Sequence, residues 1–134
     1  VTGSRGRGQE WRKGLRVFGK NDSIEDLNYI FRKVVNLRIF EDNNSKMNLS
    51  VIDKSYEILI VSQFTLYGDC RKGNRPSFDN SLSSIEAREK YEEFLEIFKE
   101  NNISVKTGIF QADMKVLLEN DGPVTMQLDS KKNY

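Results

Sequence analysis

The chain has 134 residues, with 21 Lys and Arg against 20 Asp and Glu, so its length matches one domain and its net charge lies near zero. That balance sets up no global field for nucleic acid or a membrane surface, and any RNA contact has to come from a local patch. Histidine is absent, which excludes a Ser-His-Asp triad, a Cys-His dyad and imidazole metal ligands, and the single Cys70 excludes an internal disulfide and a zinc thiolate cluster.

No apolar run approaches the roughly 20 residues that a bilayer-spanning helix needs. The expectation is a cytoplasmic protein with no membrane partner, no cofactor and no metal.

Residues 1–13 combine Gly3, Gly6 and Gly8 with Arg5, Arg7, Arg12 and Lys13 and show neither helical nor strand period, so they read as a poorly defined lead-in with order beginning near Gly14. From Ser23 onward Leu27, Ile30, Phe31, Val34 and Val35 recur at helical spacing, and Asp22, Glu25 and Asp26 suit the positive end of a helix. This predicts an amphipathic helix over 23–35. Residues 37–40 give a short strand signal that ends in the polar turn cluster 41–45.

Residues 58–66 are apolar and rich in β-branched side chains, bounded by Gly68, and read as a central strand buried on both faces. A polar loop with Gly73 and Pro76 follows over 69–80. A charged helix over 84–100 aligns Ala87, Tyr91, Phe94, Leu95 and Phe98, with Glu86, Glu89, Glu92, Glu93 and Glu96 forming its solvated face. Residues 105–110, 114–118 and 124–128 read as three further strands, and Lys131 and Lys132 as a frayed end. The order helix, strands, helix, strands favours one α+β domain over 1–134, with a mixed or antiparallel sheet and two main helices.

Ser62, Gln63 and Thr65 lie at the end of an apolar strand, where polar side chains either satisfy nearby backbone or line a mouth. Without a histidine, a hydroxyl nucleophile there lacks its usual base. A backbone oxyanion site built from the Phe64 and Thr65 amides needs no titrating group, and each such donor is worth about 2.7 to 4 kcal/mol. Asn120-Asp121-Gly122-Pro123 is a turn by composition, read either as a tight connection or as a cis Gly-Pro corner that lets backbone approach a ligand. Arg71, Lys72, Asn74 and Arg75 share one loop and suit either phosphate contacts or plain solvation. Phe110 and Met114 look like core by spacing, although their stretch can line a pocket.

Taken in order, Leu37-Arg38-Ile39-Phe40, Ser62-Gln63-Phe64-Thr65-Leu66, Lys72-Gly73-Asn74-Arg75-Pro76-Ser77-Phe78, Lys106-Thr107-Gly108-Ile109-Phe110 and Asn120-Asp121-Gly122-Pro123-Val124-Thr125 resemble the successive signatures of D-aminoacyl-tRNA deacylases over about residues 19–130. Arg12-Lys13-Gly14-Leu15 resembles a further family segment, while the family's first two strands find no match before it.

The resemblance implies a homodimer with active sites at the subunit interface, acting on the 3′ end of aminoacyl-tRNA. It also implies that Ser62, Gln63, Phe64 and Thr65 form the catalytic strand end. In the family, a cis Gly122-Pro123 rejects L side chains, and Val124, Phe110 and Met114 lie around the substrate. Hydrolysis assisted by the 2′-hydroxyl of the terminal adenosine then removes the need for a protein base. The implied activity is chiral proofreading in translation, extending to glycyl-tRNA, which has no side chain to reject. Two alternatives stay open: a non-catalytic nucleic-acid-binding relative, and a sister editing deacylase acting on a small L-aminoacyl-tRNA.

Overall fold

The computed structural model describes residues 2–6, 9–119 and 124–133, with residues 2–6 and 9–12 described by backbone alone. Among the described residues ten elements follow one another. They are strands β1 (Thr2–Gly6) and β2 (Gln9–Arg16), helix α1 (Ile24–Asn36), strands β3 (Phe40–Glu41) and β4 (Met47–Leu49), and the short helix α2 (Val51–Lys54). Strand β5 (Glu57–Ser62), a 3-10 helix (Phe64–Tyr67), helix α3 (Ser84–Glu100) and strand β6 (Val105–Thr107) complete the series.

Helix α1 starts where the Ser23 hydroxyl accepts from the Asp26 N–H while the Asp26 carboxylate accepts from the Ser23 N–H at 2.9 Å, a reciprocal cap that satisfies two orphan donors. Its apolar stripe buries Leu27, Ile30, Phe31, Val34 and Val35. Helix α3 answers with Ala87, Tyr91, Phe94, Ile97 and Phe98, and Phe31 meets Phe98 edge to face at 4.8 Å between ring centroids. Both helices agree with their sequence periods to within a residue.

The main sheet has the order β1-β2-β5-β6, with β1 antiparallel to β2 and with β2, β5 and β6 mutually parallel. Ile58 and Ile60 of β5 enter the core beneath the helices. The buried Tyr91 hydroxyl donates to the Ile60 carbonyl at 2.8 Å, and burial pushes its pKa up. A separate two-stranded ribbon pairs β3 with β4. The α+β class with a mixed sheet therefore stands.

Several expected boundaries are corrected. Residues 1–13 are not a lead-in, since β1 and most of β2 lie within them. Pairing with β5, from Trp11 opposite Glu57 to Arg16 opposite Ser62, supplies an order that composition does not express. The strand expected over 58–66 ends at Ser62. Its partner β2 ends at Arg16, so the chain beyond has no ladder to join and closes i→i+3 bonds, Leu66 N–H to Gln63 O at 3.3 Å and Gly68 N–H to Thr65 O at 3.0 Å.

The strand expected over 105–110 spans only Val105–Thr107, and the one over 37–40 survives only as Phe40–Glu41. Residues 114–118 and 124–128 are not strands, Thr125 making an isolated bridge. The apolar alternation at 114–118 marks an exposed strip rather than a sheet face. Lys131 is not frayed, because its ammonium lies 2.7 Å from the Asp26 carboxylate.

Candidate active site

Strands β2, β5 and β6 run in the same direction, so Arg16, Ser62 and Thr107 come to one edge of the sheet. The carboxyl ends of parallel strands are where open α/β sheets place ligands. The Gln63 N–H donates to the Arg16 carbonyl at 2.7 Å, the last bond between these two strands before the backbone turns. The Phe64 and Thr65 amides then head the 3-10 helix, where a first turn leaves its N–H groups without intrahelical acceptors. Among the described residues no acceptor meets them. Together they form a donor pair at the sheet edge, in a segment whose side chains at 64–66 are exposed.

The side chains expected here adopt distinct roles. Gln63 donates through Nε2 to the Thr65 hydroxyl. That oxygen is thereby an acceptor, and among the described residues no base is bonded to it that would remove its proton. Phe64 is exposed on one side and packs edge-on against Phe78 at 5.1 Å. Ser62 is half-buried beside Arg16 on the neighbouring strand.

Met114 comes to the same edge. Its Sδ lies 2.8 Å from where a Cβ on Gly108 would stand, and a Val61 methyl lies 3.8 Å from the same point. A side chain at 108 would require the methionine tip to shift. Phe110 takes another direction, its ring 5.8 Å from Tyr91 of α3 and beneath the Arg88 guanidinium at 5.1 Å. Val124 is half-buried, whereas Gly122 and Pro123 lie outside the described residues.

In the basic loop, Asp69 holds Arg71 through Nε and Nη2, and this pairing draws the Asp69 carboxyl down to about 2. Lys72, Asn74 and Arg75 are exposed, around a Gly73 with φ of +69° that suits the absence of a Cβ. A shallow groove of about 430 Å³ runs from Leu66 and Tyr67 past Cys70 to Arg71, joining the 3-10 helix to the loop.

Sequence reasoning missed Arg16, Asp22 and Tyr67. The Arg16 side chain is only 12% exposed, pairs with Asp22 at 3.3 Å, and lies over the Phe18 ring at 4.8 Å. Burial holds its pKa below the usual arginine range, with Asp22 opposing that shift. The signal was present in Leu15-Arg16-Val17-Phe18, a charge set among apolar residues leading out of a strand.

The model of the family described as D-Tyr-tRNA(Tyr) deacylase matches residues 12–129. The chain belongs to that family. A D-aminoacyl-tRNA deacylase of Clostridium botulinum (strain Alaska E43 / Type E3) is 55% identical over 134 residues, which is all of this chain and 88% of that protein. One from Thermosipho melanesiensis is 60% identical over 127 residues, covering 92% of this chain and 85% of the relative. The front of the chain, for which the motifs supplied no counterpart, is thus included in a full-length alignment.

Among solved structures, the c-Myc DNA unwinding element binding protein superposes with a TM-score of 0.81 at 40% identity, covering 87% of this chain and 80% of that one. Membership of the D-Tyr-tRNA(Tyr) deacylase family makes this chain an ester hydrolase. Among the described residues no helix is long and apolar enough to cross a membrane.

Proposed function

We propose that this chain hydrolyses the ester of D-aminoacyl-tRNA, and of glycyl-tRNA, as a proofreading step in cytoplasmic translation. The observation that carries the reading is the donor pair formed by the Phe64 and Thr65 amides at the carboxyl end of β5, in a chain with no histidine. Water adds to the ester carbonyl, whose oxygen gains negative charge, and preorganised N–H donors lower the energy of that charge more than water can. Collapse expels the ribose 3′-oxygen, which takes up a proton with the help of the adjacent 2′-hydroxyl. Amino acid and tRNA result.

In this reading Ser62 and Gln63 set the platform, and Met114 and Val124 border the amino-acid side, while Phe110 packs on Tyr91 away from it. Gly122 and Pro123 from a second copy form the stereochemical filter. Lys72, Asn74 and Arg75 meet acceptor-end phosphates beside the groove that leads to Arg71, which Asp69 holds in place. A homodimer is supported by the large apolar groups left exposed, including Leu15, Leu66 and Ile109 beside this edge and Leu117 beyond it in sequence.

The non-catalytic nucleic-acid-binding alternative uses the same loop but gives the exposed amides no task. An L-selective editing enzyme would require a different Gly122-Pro123 geometry. Deacylation of D-tyrosyl-tRNA compared with L-tyrosyl-tRNA tests the reading. Hydrolysis of the D-ester alone is expected, and equal rates or no turnover would sink it.

A further inference from the structure

We propose that Arg16 is a positioning residue that grips both ends of the 3-10 helix and so aims the Phe64 and Thr65 amides, an inference that rests on the deacylase reading above. At the near end, the Arg16 carbonyl accepts the Gln63 N–H at 2.7 Å, immediately before the helix begins. At the far end, its guanidinium acts through the turn at residues 19–22. Arg16 Nη2 donates to Asp22 Oδ2 at 3.3 Å, the same oxygen accepts the Gly19 N–H at 3.1 Å, and the Asp22 N–H returns to the Gly19 carbonyl at 3.1 Å.

Tyr67, the last residue of the 3-10 helix, rests on that turn. A Cβ on Gly19 would stand 3.0 Å from Tyr67 Oη and 3.1 Å from Cε2, so a larger residue at 19 would push the tyrosine from this seat by a few tenths of an ångström. The four residues that carry the donor pair are thereby pinned before Phe64 and at Tyr67 by one arginine.

Stability alone explains this arrangement poorly. Burying an ion pair costs desolvation that its attraction only partly returns, and apolar replacements of such pairs are often neutral or stabilising. Here the guanidinium is set between the Phe18 and Phe94 rings at 4.8 and 5.5 Å, and its Nε is a buried donor with no partner among the described residues. Asp26 and Asp129 add more distant attraction. A buried charge with an unused donor is costly, and the return it offers is a fixed register between β2, the 19–22 turn and the 3-10 helix.

The test compares steady-state hydrolysis of D-tyrosyl-tRNA by the wild-type chain, Arg16→Met, Arg16→Lys and Gly19→Ala, each checked for folding by circular dichroism. Because an ångström-scale misplacement of catalytic groups is worth one to two orders of magnitude, Arg16→Met and Gly19→Ala are expected to lower kcat about tenfold or more with KM within about twofold. Arg16→Lys, which keeps the charge, is expected to recover most of the rate. Folded Arg16→Met and Gly19→Ala proteins with wild-type kcat would overturn the proposal.

Amide hydrogen exchange supplies a readout independent of turnover. Arg16→Met is expected to speed exchange at Leu66 and Gly68 about tenfold relative to Ile58 in the core, and uniform change across all three would also overturn it. If Arg16→Met does not fold, the same ratio in Gly19→Ala decides. An inactive wild type with locally loosened variants would remove the deacylase reading while leaving the brace intact.

Discussion

Thr65 illustrates how a hydroxyl that looks chemical from the sequence is committed once its neighbours are placed. Its oxygen accepts from Gln63 Nε2, no histidine exists in the chain, and the residue's own amide meets no acceptor among the described residues. Thr65→Ala keeps that amide. It is expected to retain deacylase activity within about tenfold of wild type, whereas loss of a true oxyanion donor costs about a hundredfold to a thousandfold. Near-complete loss in a folded Thr65→Ala protein, measured on D-tyrosyl-tRNA, would move the chemistry to the hydroxyl. Arg71 shows the complementary case, since a side chain read from sequence as a phosphate ligand is already held by Asp69 two residues away. Lys72 and Arg75 are the more available cations of that loop.

At the level of elements, the start of α1 does two tasks. Asp26 closes the capping box with Ser23 and also receives the Lys131 ammonium, so a residue predicted only to suit the helix dipole anchors the C-terminal segment to the core. These bonds, with Lys131 first, hold the Asp26 carboxyl well below the usual carboxylate range. A carboxyl whose pKa is depressed on folding stabilises the native state fully above its ordinary value of 3.8 and loses that contribution as pH falls through the folded value. The Lys131 pKa is raised, so its share is present below the ordinary 10.5 and fades as pH rises through the folded value. Lys131→Met is therefore expected to melt a few degrees below wild type, by a margin that is constant from about pH 5 to about pH 9. The margin is expected to shrink below pH 3.8. Thermal unfolding followed by circular dichroism across that range checks it, and a margin that grows in acid would be inconsistent with the pairing.

At the scale of the whole molecule, the apolar strip that reads as a strand over 114–118 stays on the surface, as do Leu66 at 50%, Ile109 at 73% and Leu117 at 96% exposure. Large apolar groups left exposed in such number commonly mark a surface that a partner covers. Light scattering is expected to give twice the chain mass. The double variant Ile109→Glu/Leu117→Glu, with charges that a buried interface rejects, is expected to be monomeric and to lose deacylation. A monomer with full activity would exclude an active site shared between subunits.

The sequence alone determined both long helices, the apolar residues they bury, the polar loop over 69–80 and the exclusion of histidine chemistry, because helical hydrogen bonds close within four residues and composition needs no contacts to be read. Strands were less legible because their partners are distant. In the glycine-rich, basic front, β2 is laddered to β5 more than forty residues away and β1 pairs back on β2, and β5 stopped where β2 ran out of residues to pair with. The same distance hid the brace from Arg16 through Asp22 and Gly19 to Tyr67. The sequence named Ser62 to Thr65 as the place to look, and tertiary structure decided that β5 gives way there to a 3-10 helix headed by Phe64 and Thr65, because its partner β2 ends at Arg16.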